Sequence, residues 1–346
     1  MSSNWRRLLA SIRRRLFPAG RRSAAAPEAP GERAIGWIVY SDQADSNASY
    51  RYTCYIPASE LGGPILLFKA GMDPHAFLDR HRLRALVLGK AFDPAFVALA
   101  EAARARGIPV LAALCDWHFD NPINRKLSRI ASRTVVQTEM MAAGVRQHFK
   151  IEPVIIEEPY EGPRGAPRFA PAGTIRLLWY GHSSNLDTLG AGLEQVCKLD
   201  GMDFLISIVT ERPEEVDQVL SGLPESKASV RFAVHQFSLN RQWRELAECD
   251  AVLLPSYPAR EKLVKGHGRL VQAIHSGRLA LAYPLPQYEE LADFCWCGEA
   301  LGEGLAWALT HPAEILDRIR AGQACVDQRF SPARIASRWA EEISHA

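Results

Sequence analysis

The sequence predicts an α/β protein made of two doubly wound domains, and three observations lead there. Short β-rich apolar runs alternate with helix-length amphipathic segments along most of the chain, which is the grammar of a parallel sheet covered on both faces. The alternation stops once, at YEGPRGAPRFAPAGT (160–174), where prolines and glycines recur without an apolar period, and then restarts. At 346 residues the chain is too long for one ordinary core and long enough for two.

Taken in order, the first segment is a basic arm and linker over residues 1–33. MSSNWRRLLASIRRRLFPAG sets Trp5, Leu8, Leu9, Ile12, Leu16 and Phe17 near one face at helical spacing, with arginines filling much of the rest. Such a helix can lie in an anionic membrane surface, so residues 1–20 are read either as that contact or as a solvated arm without a partner. Pro18 and RRSAAAPEAPGE end the helix and begin a flexible stretch. The arm has no continuous apolar core or small-residue cleavage site, so export is not expected, and the reading is a cytoplasmic protein with a peripheral foothold on the inner face of a membrane.

Residues 34–160 form the first expected domain. Strand candidates are AIGWIVY (34–40), PILLFKA (64–70), ALVLG (85–89), PVLAALCD (109–116), RTVVQT (133–138) and PVIIEEP (153–159). PAFVALAEAARARG (94–107) repeats apolar residues every three or four positions and closes on glycine, as a helix does. After the 161–174 linker, residues 175–330 repeat the pattern with strands at IRLLWYG (175–181), DFLISIVT (203–210), SVRFAVH (229–235), DAVLLP (250–255) and RLALAYP (278–284), and with a helix at NRQWRELAEC (240–249). A last helix within 331–346 carries Ile335, Trp339 and Ile343 four apart, a stripe that either domain could cover.

Composition narrows the function. The chain is 47% hydrophobic and 23% charged, and no apolar run reaches the roughly 18 to 20 residues that cross a bilayer. The first 33 residues hold eight arginines against Glu28 and Glu32, a local charge of +6, so the net +2 leaves about −4 for the body. That distribution argues against a broad nucleic-acid-binding face. Seven scattered cysteines, with only Cys295 and Cys297 close together, fit reduced thiols better than a zinc knuckle, and no bound metal or cofactor is expected.

The stretch EKLVKGHGRLVQAIHSG (261–277) carries the sharpest chemical signal. Lys265, Gly266, His267, Gly268 and Arg269 cluster where a short amphipathic helix begins, and a helix N-terminus offers backbone N–H groups and about half a positive charge to an anion. Gly266 and Gly268 let a ligand approach the backbone, while Lys265 and Arg269 can neutralise a diphosphate. The loop lies between two strand candidates, which puts the helix start at the carboxyl edge of a parallel sheet. A lysine and an arginine beside glycines are also what a solvated loop looks like.

The run AECDAVLLPS followed by KGHGRLVQAIHSGRLALAYPLPQYEEL resembles the donor-binding domain of group 1 nucleotide-sugar glycosyltransferases with the GT-B fold. WYGHSSNLDTL (179–189) is similar to their first C-domain strand and glycine turn. The resemblance implies two Rossmann-like domains facing a central cleft, a nucleotide sugar as co-substrate, a glycan, lipid-linked or protein acceptor held by the N-terminal domain, retention of anomeric configuration and no metal. It assigns donor contacts to Gly181, His182, Lys265, Gly266, Gly268, Arg269 and Gln272. Two glutamates eight positions apart are common in these enzymes, and Val264 and Gln272 occupy those positions here. HSSNLDTL also lacks their usual basic pair, a role that Lys265 and Arg269 would take over.

In the N-terminal half, SDQADSNASYRYTCYIPASEL (41–61) resembles the acceptor-side loop and helix, with Ser49 and Arg51 in its polar turn. The other reading is a helix cap with a surface arginine. LCDWHFDNP (114–122) follows a buried strand and places Asp116 and His118 where they could orient an acceptor hydroxyl or take its proton; capping the next helix is the competing role for Asp116, Asp120 or Asn121. Lys69 and Lys90, each just past a strand, extend the positive lining or lie on the surface. A catalytically silent protein of the same fold, binding nucleotide sugars or glycans as a scaffold, is the alternative function.

Overall fold

The computed structural model describes residues 33–41, 46–171 and 173–346. The basic arm, its expected helix and its membrane contact lie outside the described residues. Among those described, no helix is long and apolar enough to cross a membrane.

The chain divides into two compact units. The first contains the described residues up to Pro159, Val264–Gly266 and Phe330–Ala346; the second contains Tyr160–Leu263 and His267–Arg329. The first has six parallel strands, β1 (Ala34–Val39), β2 (Ile65–Leu67), β3 (Leu83–Leu88), β4 (Val110–Ala113), β5 (Arg133–Val136) and β6 (Val154–Ile155), ordered β2-β1-β3-β4-β5-β6. The second has β7 (Ile175–Tyr180), β8 (Asp203–Thr210), β9 (Ser229–Gln236), β10 (Ala251–Leu254), β11 (Leu279–Ala282) and β12 (Trp296–Cys297), ordered β12-β11-β10-β7-β8-β9 and again parallel.

Both orders contain a reversal. In the first unit the chain steps outward from β1 to β2, then crosses back to place β3 on the other side of β1; in the second it runs β7-β8-β9 outward, then returns to lay β10 beside β7. At such points the connections leave in opposite directions and a crevice opens at the carboxyl ends of the strands. The residues that follow β1 and β3, and those that follow β7 and β10, are therefore the ones that the topology offers to ligands, and those that follow β4 lie one strand away from β3.

The eleven expected strands all form, most of them shorter than their apolar runs; β8 keeps the expected range, β9 runs one residue further and β3 starts two residues earlier. β12 falls outside that set, because two residues at a sheet edge leave no apolar period to read. Three helices of the first unit start at Asx-Pro pairs. Asp73, Asp93 and Asn121 each accept a hydrogen bond from the first turn, and the proline that follows occupies a position with no N–H to satisfy. Asn121 Oδ1 accepts from Ile123 N at 2.8 Å, which resolves the capping alternative in favour of Asn121. Asn121→Ala is expected to cost about 1 kcal/mol in a denaturant melt, and Asp120→Ala little.

The segment after Pro159 is irregular, as its composition requires, but it is not a free linker. Phe169 is fully buried in the second unit's core, Gly165 and Arg168 donate backbone hydrogen bonds to His275 and Gly277, and Tyr160 stacks on His275 at 3.8 Å. The proline and glycine content hid this, since one phenylalanine in such a segment makes no periodic pattern. The C-terminal helix Pro332–Ser344 settles on the first unit: Ile335, Trp339 and Ile343 join the cluster around Trp37, whose ring meets that of Trp339 edge-on at 5.8 Å.

Candidate functional site

In the second unit, Tyr180 ends β7, and Gly181 and His182 follow it at the reversal. The helix Gly268–His275 follows β10 from the other side. The two meet: the buried Tyr180 hydroxyl donates to the backbone carbonyl of Arg269 at 3.0 Å, and a Cβ placed on Gly181 would come within 3.5 Å of Arg269 Nη1. Gly181 thus lies beside the guanidinium, and the tighter limit on a side chain there is the Trp179 ring, at 3.2 Å from that Cβ. Arg269 Nη1 is buried and makes no hydrogen bond among the described residues. A buried charged donor without an acceptor is costly, so the position suits an anionic ligand oxygen.

The three basic residues of the glycine loop go to three different places. Lys265 groups with the first unit, where its ammonium pairs with Asp116. His267 is buried, and its Nε2 lies 3.2 Å from Glu290 Oε2, a carboxylate that also accepts from Arg329. The His267 hydrogen bond, ahead of that from Arg329, holds Glu290 down at about 2 against the cost of burial. Only Arg269 remains beside Gly181. The side chain of His267 does not cap the helix, so the positive end of the helix dipole is not met by its own cap residue.

Gly266 and Gly268 differ in role. A side chain on Gly266 would run into the carboxylate of Glu158, so this glycine serves the packing of the first unit. Gly268 opens the helix itself. His182 is exposed and caps the short turn Ser183–Asn185, its Nδ1 accepting from Ser184 N at 3.1 Å, which directs any proton on the neutral ring to Nε2. Gln272 is buried, and its amide is in use: Oε1 accepts from Glu161 N at 3.1 Å and Nε2 donates to Ser276 Oγ at 3.3 Å. A ribose hydroxyl at Gln272 would have to compete with these two hydrogen bonds.

In the first unit, Asp116 follows β4 and Lys90 follows β3, neighbours in the sheet. Both carry positive φ, +86° and +50°, which non-glycine residues adopt only when their surroundings impose it. Asp116 pairs with Lys265 and lies 3.6 Å from Lys90. Burial pushes its carboxyl up, but Lys265 and then Lys90 outweigh that and hold it below the usual carboxylate range. An acid this weakly basic is better at orienting a hydroxyl than at removing its proton.

An aromatic wall adjoins the pair. The rings of Tyr40 and Phe92 lie 5.2 Å apart, Phe92 and the exposed His118 5.7 Å, and Lys90 Nζ sits 5.7 Å from the Phe92 centroid. Sequence reading missed Tyr40 and Phe92 because single aromatics after a strand look like core residues. The N–H of Ser49 caps onto Asn47 Oδ1 at 3.0 Å, and Cys115, next to Asp116, is buried. Arg51 is not a surface arginine: it is buried, donates to the Ser46 carbonyl at 2.9 Å, and belongs to a π-helical turn, Arg51–Tyr55, a distortion frequent at functional sites. Lys69 is exposed beyond β2, three strands from β4 and hence on the order of 14 Å along the sheet edge from Asp116.

Two parallel six-stranded sheets of this topology define the GT-B fold, and the chain has that fold. It is similar to HepE from Anabaena, solved in complex with UDP, at 14% identity and a TM-score of 0.65 over 90% of this chain and 100% of that one. It is also similar to a glycosyltransferase from Rickettsia africae (11%, TM-score 0.67, 91% and 98%) and to an α,α-trehalose-phosphate synthase (UDP-forming) from Burkholderia vietnamiensis (8%, TM-score 0.55, 75% and 74%). No family model and no curated protein matches the sequence.

Proposed function

We propose that the chain is a glycosyltransferase that moves a sugar from a nucleotide-diphosphate donor to a glycan, lipid-linked or protein acceptor, with retention and without a bound metal. The observation that carries this reading is the unpaired, buried Nη1 of Arg269 against Gly181 at the first turn of the helix that follows β10. Sugar transfer from such a donor builds negative charge on the departing diphosphate, and a fixed cation with a helix dipole lowers the energy of that charge as it forms. HepE, similar in fold, has been solved with UDP and with UDP-glucose, which supports a nucleotide-sugar donor here. Retention and metal independence rest on the resemblance of the sequence.

On the acceptor side, Asp116 is the hydrogen-bond acceptor for the attacking hydroxyl, with Lys90 fixing its orientation and Phe92 and His118 forming the adjoining wall. The test is nucleotide release from a panel of UDP-, GDP- and dTDP-sugars with glycan, lipid and peptide acceptors. Release that depends on both a donor and an acceptor is expected. One observation favours a second reading, a silent binding scaffold: Gln272 stands where related enzymes often carry a glutamate, and it is closed into the fold. Binding without turnover across the panel would select that reading. We further propose that residues 1–20 rest on an anionic membrane surface; deleting residues 2–30 is expected to reduce sedimentation with anionic vesicles and to leave turnover of soluble substrates unchanged.

A further inference from the structure

Cys295 and Cys297 are the only two cysteines in the chain separated by a single residue. Cys297 ends β12 and Cys295 precedes it with extended backbone (φ −143°, ψ 178°), so the two side chains leave the same side of the strand. Cys295 Sγ donates to the Leu291 carbonyl at 3.5 Å. Cys295 is buried and Cys297 half-buried, so Cys297 is the residue of the pair open to solvent. Nothing in the proposed transfer reaction uses either.

We propose that this pair is a thiol modification site, which a small-molecule disulfide such as glutathione disulfide closes into an intrachain Cys295–Cys297 bond. Cys297 thiolate attacks one sulfur of the reagent, forms a mixed disulfide and releases one glutathione thiolate. Cys295 then attacks the Cys297 sulfur, its proton passes to the released thiolate, and the second glutathione leaves. The protein pair loses two electrons and two protons, and one glutathione disulfide becomes two glutathiones.

Charge and geometry both favour this order. The neighbouring Cys295, ahead of the burial that opposes it, draws the Cys297 thiol below its ordinary value, while Cys297 and then burial push Cys295 up. The accessible sulfur is therefore the better nucleophile and the hidden one the resolving thiol. Burial pushes Cys54, Cys115 and Cys249 up to about 12, which leaves them inert. Two residues of extended chain span about 6.6 Å between Cα atoms, near the upper limit for a disulfide, so closure must draw the strand in. β12 is a two-residue edge strand paired to β11 through Trp296 and Cys297, so closure would displace an edge and not the centre of that sheet. A bond formed under such tension is easily reduced again.

The full chain is incubated with glutathione disulfide, free thiols are alkylated, and every cysteine is mapped by peptide mass. The expected product is a peptide containing both Cys295 and Cys297 that is lighter by two hydrogens, carries no glutathione, and regains both thiols with dithiothreitol. Cys295→Ser is expected to retain glutathione on Cys297, and Cys297→Ser to leave Cys295 a free thiol. A stable glutathione adduct on wild-type Cys297 overturns the proposal, as does a pair that stays fully alkylatable while Cys325 is modified. The wild-type map is decisive by itself, whether or not either variant folds.

Discussion

Arg269→Ala is expected to weaken the binding of UDP or another nucleoside diphosphate by about 10- to 150-fold, the equivalent of roughly 1.5 to 3 kcal/mol for a hydrogen bond to a charged group. The side chain lies at the first turn of the helix Gly268–His275, next to Gly181, and its buried Nη1 has no hydrogen-bond partner among the described residues. Its loss removes the cation but not the helix, whose backbone is also tied by the Tyr180 hydroxyl to the residue 269 carbonyl. The fold should therefore survive, and calorimetric titration of a protein with unchanged melting temperature reads the effect directly. Lys265→Ala is expected to change nucleotide affinity much less, because its ammonium pairs with Asp116 in the first unit. If the lysine variant loses affinity and the arginine variant does not, the two roles are reversed.

Asp116→Asn is expected to lower turnover by about a hundredfold while nucleotide affinity stays within about twofold, the pattern for a group that positions the acceptor and does not hold the donor. The charge that orients this carboxylate comes from Lys265 and Lys90, and the amide keeps the shape while giving up that attraction. Asp116→Gly separates catalysis from folding. At φ +86° glycine relieves the backbone cost, so the variant should fold and still fail to turn over. A glycine variant with wild-type turnover would show that the strained aspartate serves only the ion pair.

The sheets were legible because buried parallel strands are short apolar runs that helices interrupt, and that pattern survives without any knowledge of partners. Strand order was not legible, and it is what converts a series of strand ends into two sites. Tyr180–Gly181 and the start of the helix at Gly268 are nearly ninety residues apart in sequence and adjoin only because β10 returns to lie beside β7. The glycine loop shows the same limit from the other side. Lys265, His267 and Arg269 look equivalent in sequence, yet their fates depend on Asp116, Glu290 and Gly181, none of which lies within twenty positions of the residue it meets. The burial of Gln272 and Arg51 was not legible for one shared reason: a polar side chain beside a candidate loop carries no mark of whether the fold has already used it.

The most direct measurement is a crystal structure of the chain with UDP or GDP bound. The diphosphate is expected at the first turn of the helix Gly268–His275, within hydrogen-bond distance of Arg269 and next to Gly181. Nucleotide bound elsewhere, with Arg269 untouched, would contradict a donor site at this helix.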